Sequence, residues 1–252
     1  FRYSFNKRFG VYANAGSSYA PPGLKSIFGT LPASDFKVPG HDGQLPNPGL
    51  KPESGIGTDA GFEGTFGHAL KTGIRFFYTI VNNAIVENVI SQNPSQSQSI
   101  NTRSTCYGGE VEISHSVNEH LSWFANVTCM ISEIRNDSNP DQNNVQIPFS
   151  PNVVANCGLA YHASCGFSVV PSLNYNAGFY DGTSKSTRTW FTPQFIFNAY
   201  IAQRIAKGKT YDLEAFVQLY NLTNNCYVMP WQFQNTGFSI MGGLKLTFSK
   251  KS

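Results

Sequence analysis

The chain has 252 residues and a formal net charge of +3, and only 13% of its residues are Asp, Glu, Lys or Arg, about half the ~25% usual in soluble domains. The small, scattered positive balance argues against a nucleic-acid partner. No apolar run approaches the ~18 residues of a membrane helix; low charge with 14% aromatics and 23 glycines is instead the composition of a transmembrane barrel, where only alternate residues need be apolar.

Phe1 to Ser4 reads as the end of a strand that turns through Asn6, Lys7 and Arg8. The chain starts inside this strand, without a basic start and an apolar stretch, the pattern expected of a processed, trimmed or truncated polypeptide. Val11 to Tyr19 follows, with Val11, Ala13 and Ala15 on one face and Tyr12 and Asn14 on the other. The Pro- and Gly-rich stretch Ala20 to Glu53 is expected to be irregular. Ile56 to Phe66 alternates Ile56, Ala60, Phe62 and Phe66 with Asp59, Glu63 and Thr65. A short turn at Gly67 and His68 leads to Thr72 to Ile85, where Ile74, Phe76, Tyr78 and Ile80 alternate with Arg75 and Thr79.

Ser91 to Ser99, rich in Ser, Gln and Asn, reads as a polar loop. Thr102 to Val117 is the next strand, and a tight turn at Asn118, Glu119 and His120 joins it to Leu121 to Ile131. There Leu121, Trp123, Ala125, Val127, Cys129 and Ile131 oppose Ser122, Asn126, Thr128 and Ser132. After the Asn/Asp-rich loop Asn136 to Asn144 come Val153 to Tyr161, a turn at Ala163 to Cys165, and Phe167 to Phe179. The polar loop Asp181 to Thr187 precedes Phe191 to Arg204, and the turn Lys207, Gly208, Lys209 leads to a final pair, Tyr211 to Tyr227 and Phe238 to Phe248. In that pair Leu213, Ala215, Val217 and Leu219, and Ile240, Leu244, Leu246 and Phe248, take the apolar parity.

Successive strand residues point to opposite faces, so each of about ten segments has one apolar and one polar face. Short turns alternate with longer loops, and several segments reach the ~9–11 residues a tilted transmembrane strand needs. The pattern predicts an all-β, antiparallel up-and-down transmembrane barrel. Its apolar face meets lipid. Its polar face (Asp59, Glu63, Arg75, Glu110, Glu112, Asn126, Asn174, Asn198, Arg204, Asp212, Glu214, Gln218 and Lys245) meets a wet interior. A soluble sandwich is the alternative; it would pack Leu213, Leu244 and Trp123 into a dry core.

The five cysteines, Cys106, Cys129, Cys157, Cys165 and Cys226, are odd in number and lack C-x-x-C spacing, which argues against a zinc site. Cys129 and Cys157 fall on the apolar parity and serve there as small apolar residues. A disulfide between two of the five stays open. His68 and His120 sit in turns, as surface residues do. No metal ligand set is read from these residues.

The ordered segments carry a resemblance. YAPPGLKSIFG (Tyr19 to Gly29), NPGLKPE (Asn47 to Glu53), TRSTCYGGEVEIS (Thr102 to Ser114), QLYNLTNNCY (Gln218 to Tyr227) and GFSIMGGLKLTF (Gly237 to Phe248) resemble, in order, stretches of TonB-dependent outer-membrane receptors. The resemblance implies the C-terminal part of such a barrel over residues 1–252, about the last ten of 22 strands, the plug domain and first strands not being included. It implies location in the outer membrane of a Gram-negative bacterium. The implied partners are the remaining N-terminal strands and plug, on the same or a separate chain, the TonB complex and outer-membrane lipid. The implied activity is energised uptake of a scarce ligand: a ferric siderophore, haem, cobalamin or oligosaccharide. No bond is made or broken, so neither catalytic residues nor a cofactor is expected. Ser249 to Ser252 depart from the family by following the closing Phe248.

Flat rings give large contact area at low entropy cost. Tyr19, Phe28, Phe36, Trp190, Trp231 and Phe233 are therefore candidate ligand contacts, together with His41 in the long loop. Trp190, Trp231 and Phe233 equally suit an aromatic girdle at the membrane interface, and His41 equally suits a solvated loop. Two other classes compete with the receptor. A passive porin would conduct without TonB. A barrel protease or phospholipase would need a nucleophile–base pair or paired carboxylates at the rim; Asp59 with Glu63, and Asp212 with Glu214, share a face.

Overall fold

The computed structural model describes residues 1–67, 69–137, 139–228 and 235–248. Its strands are β1 (Arg2–Ser4), β2 (Phe9–Ala20), β3 (Gly43–Leu45), β4 (Glu53–Phe66), β5 (Leu70–Gln92), β6 (Ser95–Ser116), β7 (Leu121–Arg135), β8 (Val153–His162), β9 (Phe167–Asn176), β10 (Phe179–Tyr180), β11 (Trp190–Phe191), β12 (Gln194–Lys207), β13 (Tyr211–Tyr220) and β14 (Ser239–Phe248). Apart from β3, the main sheet is antiparallel, in the order β1-β2-β4-β5-β6-β7-β8-β9-β12-β13-β14, and it is open at both edges. Sequence neighbours pair throughout, which is the up-and-down meander that the alternating short turns and long loops predict. The small β10–β11 hairpin stands apart from it.

The register keeps the two faces separate from strand to strand. On one face Val11 pairs with Phe62, Ile74 with Val111, Tyr78 with Tyr107, Tyr107 with Ile131, Trp123 with Leu159, Phe197 with Leu173, and Leu213 with Leu246. On the other, Asn14 pairs with Asp59, Arg75 with Glu110, Glu112 with Asn126, Asn126 with Asn156, and Glu214 with Lys245. A slip of one residue anywhere would exchange these faces. The apolar face stays uncovered: Phe76 is 65% exposed, Ile240 65% and Leu244 69%. Burial is concentrated elsewhere. The largest fully buried side chains, Ile134, Gln96, Gln142, Val145 and Asn221, all lie at the end of the sheet that carries the long loops. That distribution is the opposite of a sandwich with a central dry core.

Several boundaries differ from the sequence expectation. Ser91 to Ser99 is not a loop: β5 and β6 run as one hairpin, turning at Asn93 and Pro94. A strand of 23 residues at ~3.3 Å each extends about 76 Å. Roughly a dozen of its residues therefore rise beyond any bilayer, which ~9–11 residues cross. No apolar alternation marks this upper part. The long loop after β2 is also more ordered than expected. It holds α1 (Leu24–Phe28), a 3-10 turn at Ala33–Asp35, and β3, which pairs in parallel with the upper edge of β6. The strand expected to reach Tyr227 ends at Tyr220, because Asn221 turns the chain at φ 51°. The segment expected to start at Phe191 starts at Gln194, since Pro193 has no N–H for the ladder. Phe179 belongs to β10, and β9 ends at Asn176. The turn residue His68 lies outside the described residues. The five cysteines are all free.

Candidate functional site

On the polar face, five asparagines from neighbouring strands join into one hydrogen-bonded rail. Asn156 Nδ2 donates to Asn126 Oδ1 at 3.0 Å, Asn174 Nδ2 to Asn156 Oδ1 at 2.6 Å, and Asn198 Nδ2 to Asn174 Oδ1 at 2.9 Å. The backbone N–H of Asn221 donates to Asn198 Oδ1 at 3.0 Å and closes the rail. A carboxamide both donates and accepts, so a column of them satisfies itself across strands. Charged side chains occupy other positions on this face. Arg2 pairs with Glu63, and Arg75 reaches Asp59 at 3.6 Å and Glu110 at 3.8 Å. Arg204 holds Asp212 at 3.1 Å. The Tyr200 hydroxyl donates to Glu214 at 3.0 Å, with the Tyr200 ring stacked on Phe216.

Asn221, fully buried, knots the chain at the end of β13. Its Nδ2 donates to the carbonyls of Asn225 and Thr236, and its Oδ1 accepts from Asn225 N–H. Asn224 Oδ1 accepts from Phe238 N–H, which ties in the start of β14. Both Asn221 and Asn224 are left-handed, at φ 51° and 47°, a region asparagine tolerates better than most residues. The NLTNN run thus acts as a turn that staples β12, β13 and β14 together.

The long loops form the second part of the site. Gln96, at the tip of β6, is 1% exposed. Its Oε1 accepts from Lys37 N–H, and its Nε2 donates to the carbonyls of Asp35 and His41. The loop after β2 is thereby fixed to the tall hairpin. A second brace starts at Asp141, between β7 and β8. Its carboxylate accepts from the Ser184 and Ser186 hydroxyls and from Ser186 N–H. The Ser184 hydrogen bond is the main reason the Asp141 carboxyl is held below the usual carboxylate range, against an opposing effect of desolvation. Beside it, buried Gln142 donates to Asn88 Oδ1 on β5 at 2.6 Å. Two loops from separate parts of the chain are cross-linked here to each other and to β5. An aromatic group lies next to the brace: Phe179 stacks on Phe191 and touches Phe149, Tyr180 contacts Trp190, and Arg188 sits 3.7 Å above the Tyr180 ring.

The candidate contacts fall into two groups. Tyr19, at the top of β2, is 71% exposed, Phe28 68% and Phe36 50%. They share the first long loop and its approach with His41, whose Nδ1 lies 2.6 Å from Asp35 Oδ2. Trp190, 48% exposed, belongs to the β10–β11 group. Among the described residues, no ring contact joins the two groups. Trp231 and Phe233 lie outside the described residues. The members that sequence reasoning missed are Phe149, Phe179, Tyr180, Arg188 and Phe191. The one signal for them was that aromatic residues flank the polar stretch Asp181 to Thr187.

The model of a protein family described as TonB dependent receptor-like, beta-barrel, matches residues 1–222. No curated protein matches the chain. Among solved structures, the copper transporter OprC superposes with a TM-score of 0.72 at 17% identity, over 98% of this chain and 38% of that one. The siderophore receptor PirA from Acinetobacter baumannii gives 0.69 at 12% identity, over 98% and 40%. The ferric yersiniabactin uptake receptor FyuA from Yersinia pestis gives 0.65 at 17% identity, over 97% and 35%. At these identities the likeness is one of fold. In each case this chain spans well under half of the solved protein.

Proposed function

We propose a transport role from one premise: the chain belongs to the TonB-dependent receptor family, of whose β-barrel it forms a part. Members of that family are transport receptors of the Gram-negative outer membrane. On our reading, residues 1–252 are the C-terminal part of such a barrel, in the outer membrane, with the apolar face in lipid and the polar face lining the lumen. The remaining strands and a plug domain complete it. Transport is energised through the TonB complex and makes or breaks no bond in the cargo. The cargo is a scarce ligand of the class of ferric siderophores, haem, cobalamin or oligosaccharides; a ferric yersiniabactin uptake receptor and a copper transporter among the structural neighbours support a metal-bearing cargo among these. Ligand contacts come from the outer loops, with Tyr19, Phe28, Phe36, His41 and Trp190, and with Trp231 and Phe233 beyond the described residues.

The observation that carries this reading is the separation of an apolar and a polar face across ten long strands, with the largest fully buried side chains at the loop-bearing end. Only a closed sheet satisfies its own backbone in hydrocarbon, and only a wet lumen accommodates the charged inner face. The test is uptake of labelled ferric chelates by cells carrying the full-length gene, with and without TonB. Energy-dependent accumulation that disappears with TonB is expected. Passive conductance in bilayers, with no TonB-dependent uptake, would overturn the proposal.

A further inference from the structure

The apolar face of strands β5 to β7 changes character abruptly toward the long loops. The register sets its rows. Ile74, Val111 and Val127 form one row, and Tyr78, Tyr107 and Ile131 a higher one. The Tyr78 and Tyr107 rings lie 6.3 Å apart, like the aromatic girdle where a barrel leaves hydrocarbon. Above them come Ile80, Thr105 and Glu133, and then Asn82, Arg103 and Arg135. Arg103 stands four residues beyond Tyr107, about 13 Å along the strand. At a tilt of ~40° this is a rise of ~10 Å, the level of the headgroups. These strands lie in the middle of the sheet. Their outward surface therefore does not depend on what joins the edges at β1 and β14, or on what fills the interior.

Arg103 and Arg135 are direct cross-strand partners, and both are exposed. Cβ atoms of such partners lie ~4.5–5.5 Å apart, and like charges there destabilise a sheet. Compensation within the chain is incomplete. Among the strand residues of the two upper rows, Glu133 is the one carboxylate, and it meets Arg135 Nε at 3.4 Å. Asn101, two residues above Arg103 on the same face, holds the backbone of Lys51. Its Oδ1 accepts from Lys51 N–H at 2.8 Å, and its Nδ2 donates to Lys51 O at 2.9 Å. A third cation is thereby fixed beside the pair. Neither Arg103 nor Lys51 makes an ion pair among the described residues.

We propose that Arg103 and Arg135, with Lys51, form a docking site for a phosphate-bearing lipid headgroup of the outer leaflet. A phosphate between the two guanidiniums turns a repulsive cross-strand pair into a clamp, because each planar fork matches phosphate oxygens. Glu133 opposes the anion. The apolar rows directly below argue for a lipid rather than a free anion. Phe76 is 65% exposed and Ile131 51%, and acyl chains hanging from the headgroup would cover them. The proposal rests on the receptor reading in one respect, that the apolar face meets lipid.

The test uses the full-length receptor in a non-ionic detergent. Native mass spectrometry and thermal unfolding follow titration with diphosphorylated lipid A, with diacylglycerol and inorganic phosphate as controls. One saturable lipid A adduct and a matching rise in Tm are expected. Arg103→Gln and Arg135→Gln should each weaken the apparent Kd by roughly three- to tenfold. Lys209→Gln, which removes one charge at an exposed short turn of the opposite end, should leave it unchanged. Without lipid, Arg103→Gln should raise Tm by relieving repulsion; with saturating lipid A it should lower Tm relative to wild type. A merely structural arginine would lower it in both. Equal binding of diacylglycerol, a full Tm response to inorganic phosphate alone, or an apparent Kd unmoved by both arginine substitutions would overturn the proposal. Failure of the receptor reading would show separately, as absence of the full-length protein from outer-membrane fractions.

Discussion

Asn221 offers the sharpest energetic test of the knot after β13. Its side chain makes two good hydrogen bonds, at 3.1 Å to Asn225 O and 2.9 Å from Asn225 N, and a longer one at 3.4 Å to Thr236 O. At ~0.5–1.5 kcal/mol net per bond, and with the residue fully buried, losing the side chain should cost about 2–3 kcal/mol. Backbone conformation adds a second effect. At φ 51°, a residue with a Cβ and no compensating bonds costs ~1–2 kcal/mol, which glycine avoids. Asn221→Gly should therefore lose only the bonds, while Asn221→Ala loses the bonds and incurs the strain. The expected stability order is wild type, then Gly, then Ala, with the last two separated by about 1 kcal/mol. Urea unfolding of the full-length protein in lipid vesicles reads this order. If Ala equalled or exceeded Gly, the left-handed turn would not be the reason asparagine stands there.

The asparagine rail should behave as a coupled unit: a double-mutant cycle of Asn174→Ala with Asn198→Ala should give a coupling of about 0.5–1.5 kcal/mol, and zero coupling would mean water replaces the bond at no cost. Gly108→Ala places a Cβ 2.2 Å from Cys129 O and 2.9 Å from Met130 Cα; both are backbone atoms, so a loss of about 1–3 kcal/mol is expected. Gly57→Ala meets nothing nearer than Thr79 Oγ1 at 3.6 Å and should be tolerated; equal effects at the two sites would contradict the packing described. The brace at Asp141 should be acid-sensitive. Its folded-state carboxyl is held low, so its contribution is fully present above the ordinary value of ~3.9 and is lost as pH falls through the lower folded value. Protection of the Ser186 amide from hydrogen exchange, corrected for intrinsic rate, should drop over that interval, and Asp141→Asn should abolish the dependence.

The architecture was legible in the sequence because lipid on one side and water on the other impose a period of two on every spanning strand. Leu213, Val217 and Leu244 against Glu214, Gln218 and Lys245 carried that signal, and the register preserves it. It fails where the cause is absent. Above the bilayer both faces of the β5–β6 hairpin meet water or loops, so Ser91 to Ser99 read as a loop although it is strand. Asn126, Asn174 and Asn198 were legible as polar-face residues. Their union through Asn156 was not, because it depends on cross-strand register, which no local pattern encodes. The NLTNN run was visible as a family signature, but its role as a staple follows only from the contacts of Asn221 and Asn224. Likewise the Asp141 brace and the ring group around Tyr180 join loops far apart in the chain, each of which looks solvated when read alone.

The orientation of the two faces can be read directly. Single spin labels placed at successive positions along β13 and β14 of the full-length protein, reconstituted in lipid vesicles, report access to oxygen, which partitions into lipid, and to a water-soluble nickel chelate. Labels at Leu213, Val217, Leu244 and Leu246 should favour oxygen, and labels at Glu214, Gln218 and Lys245 the chelate, alternating at every residue. Loss of that alternation, or shielding of Leu213 and Leu244 from both reagents as in a dry core, would contradict a sheet with lipid outside and water within.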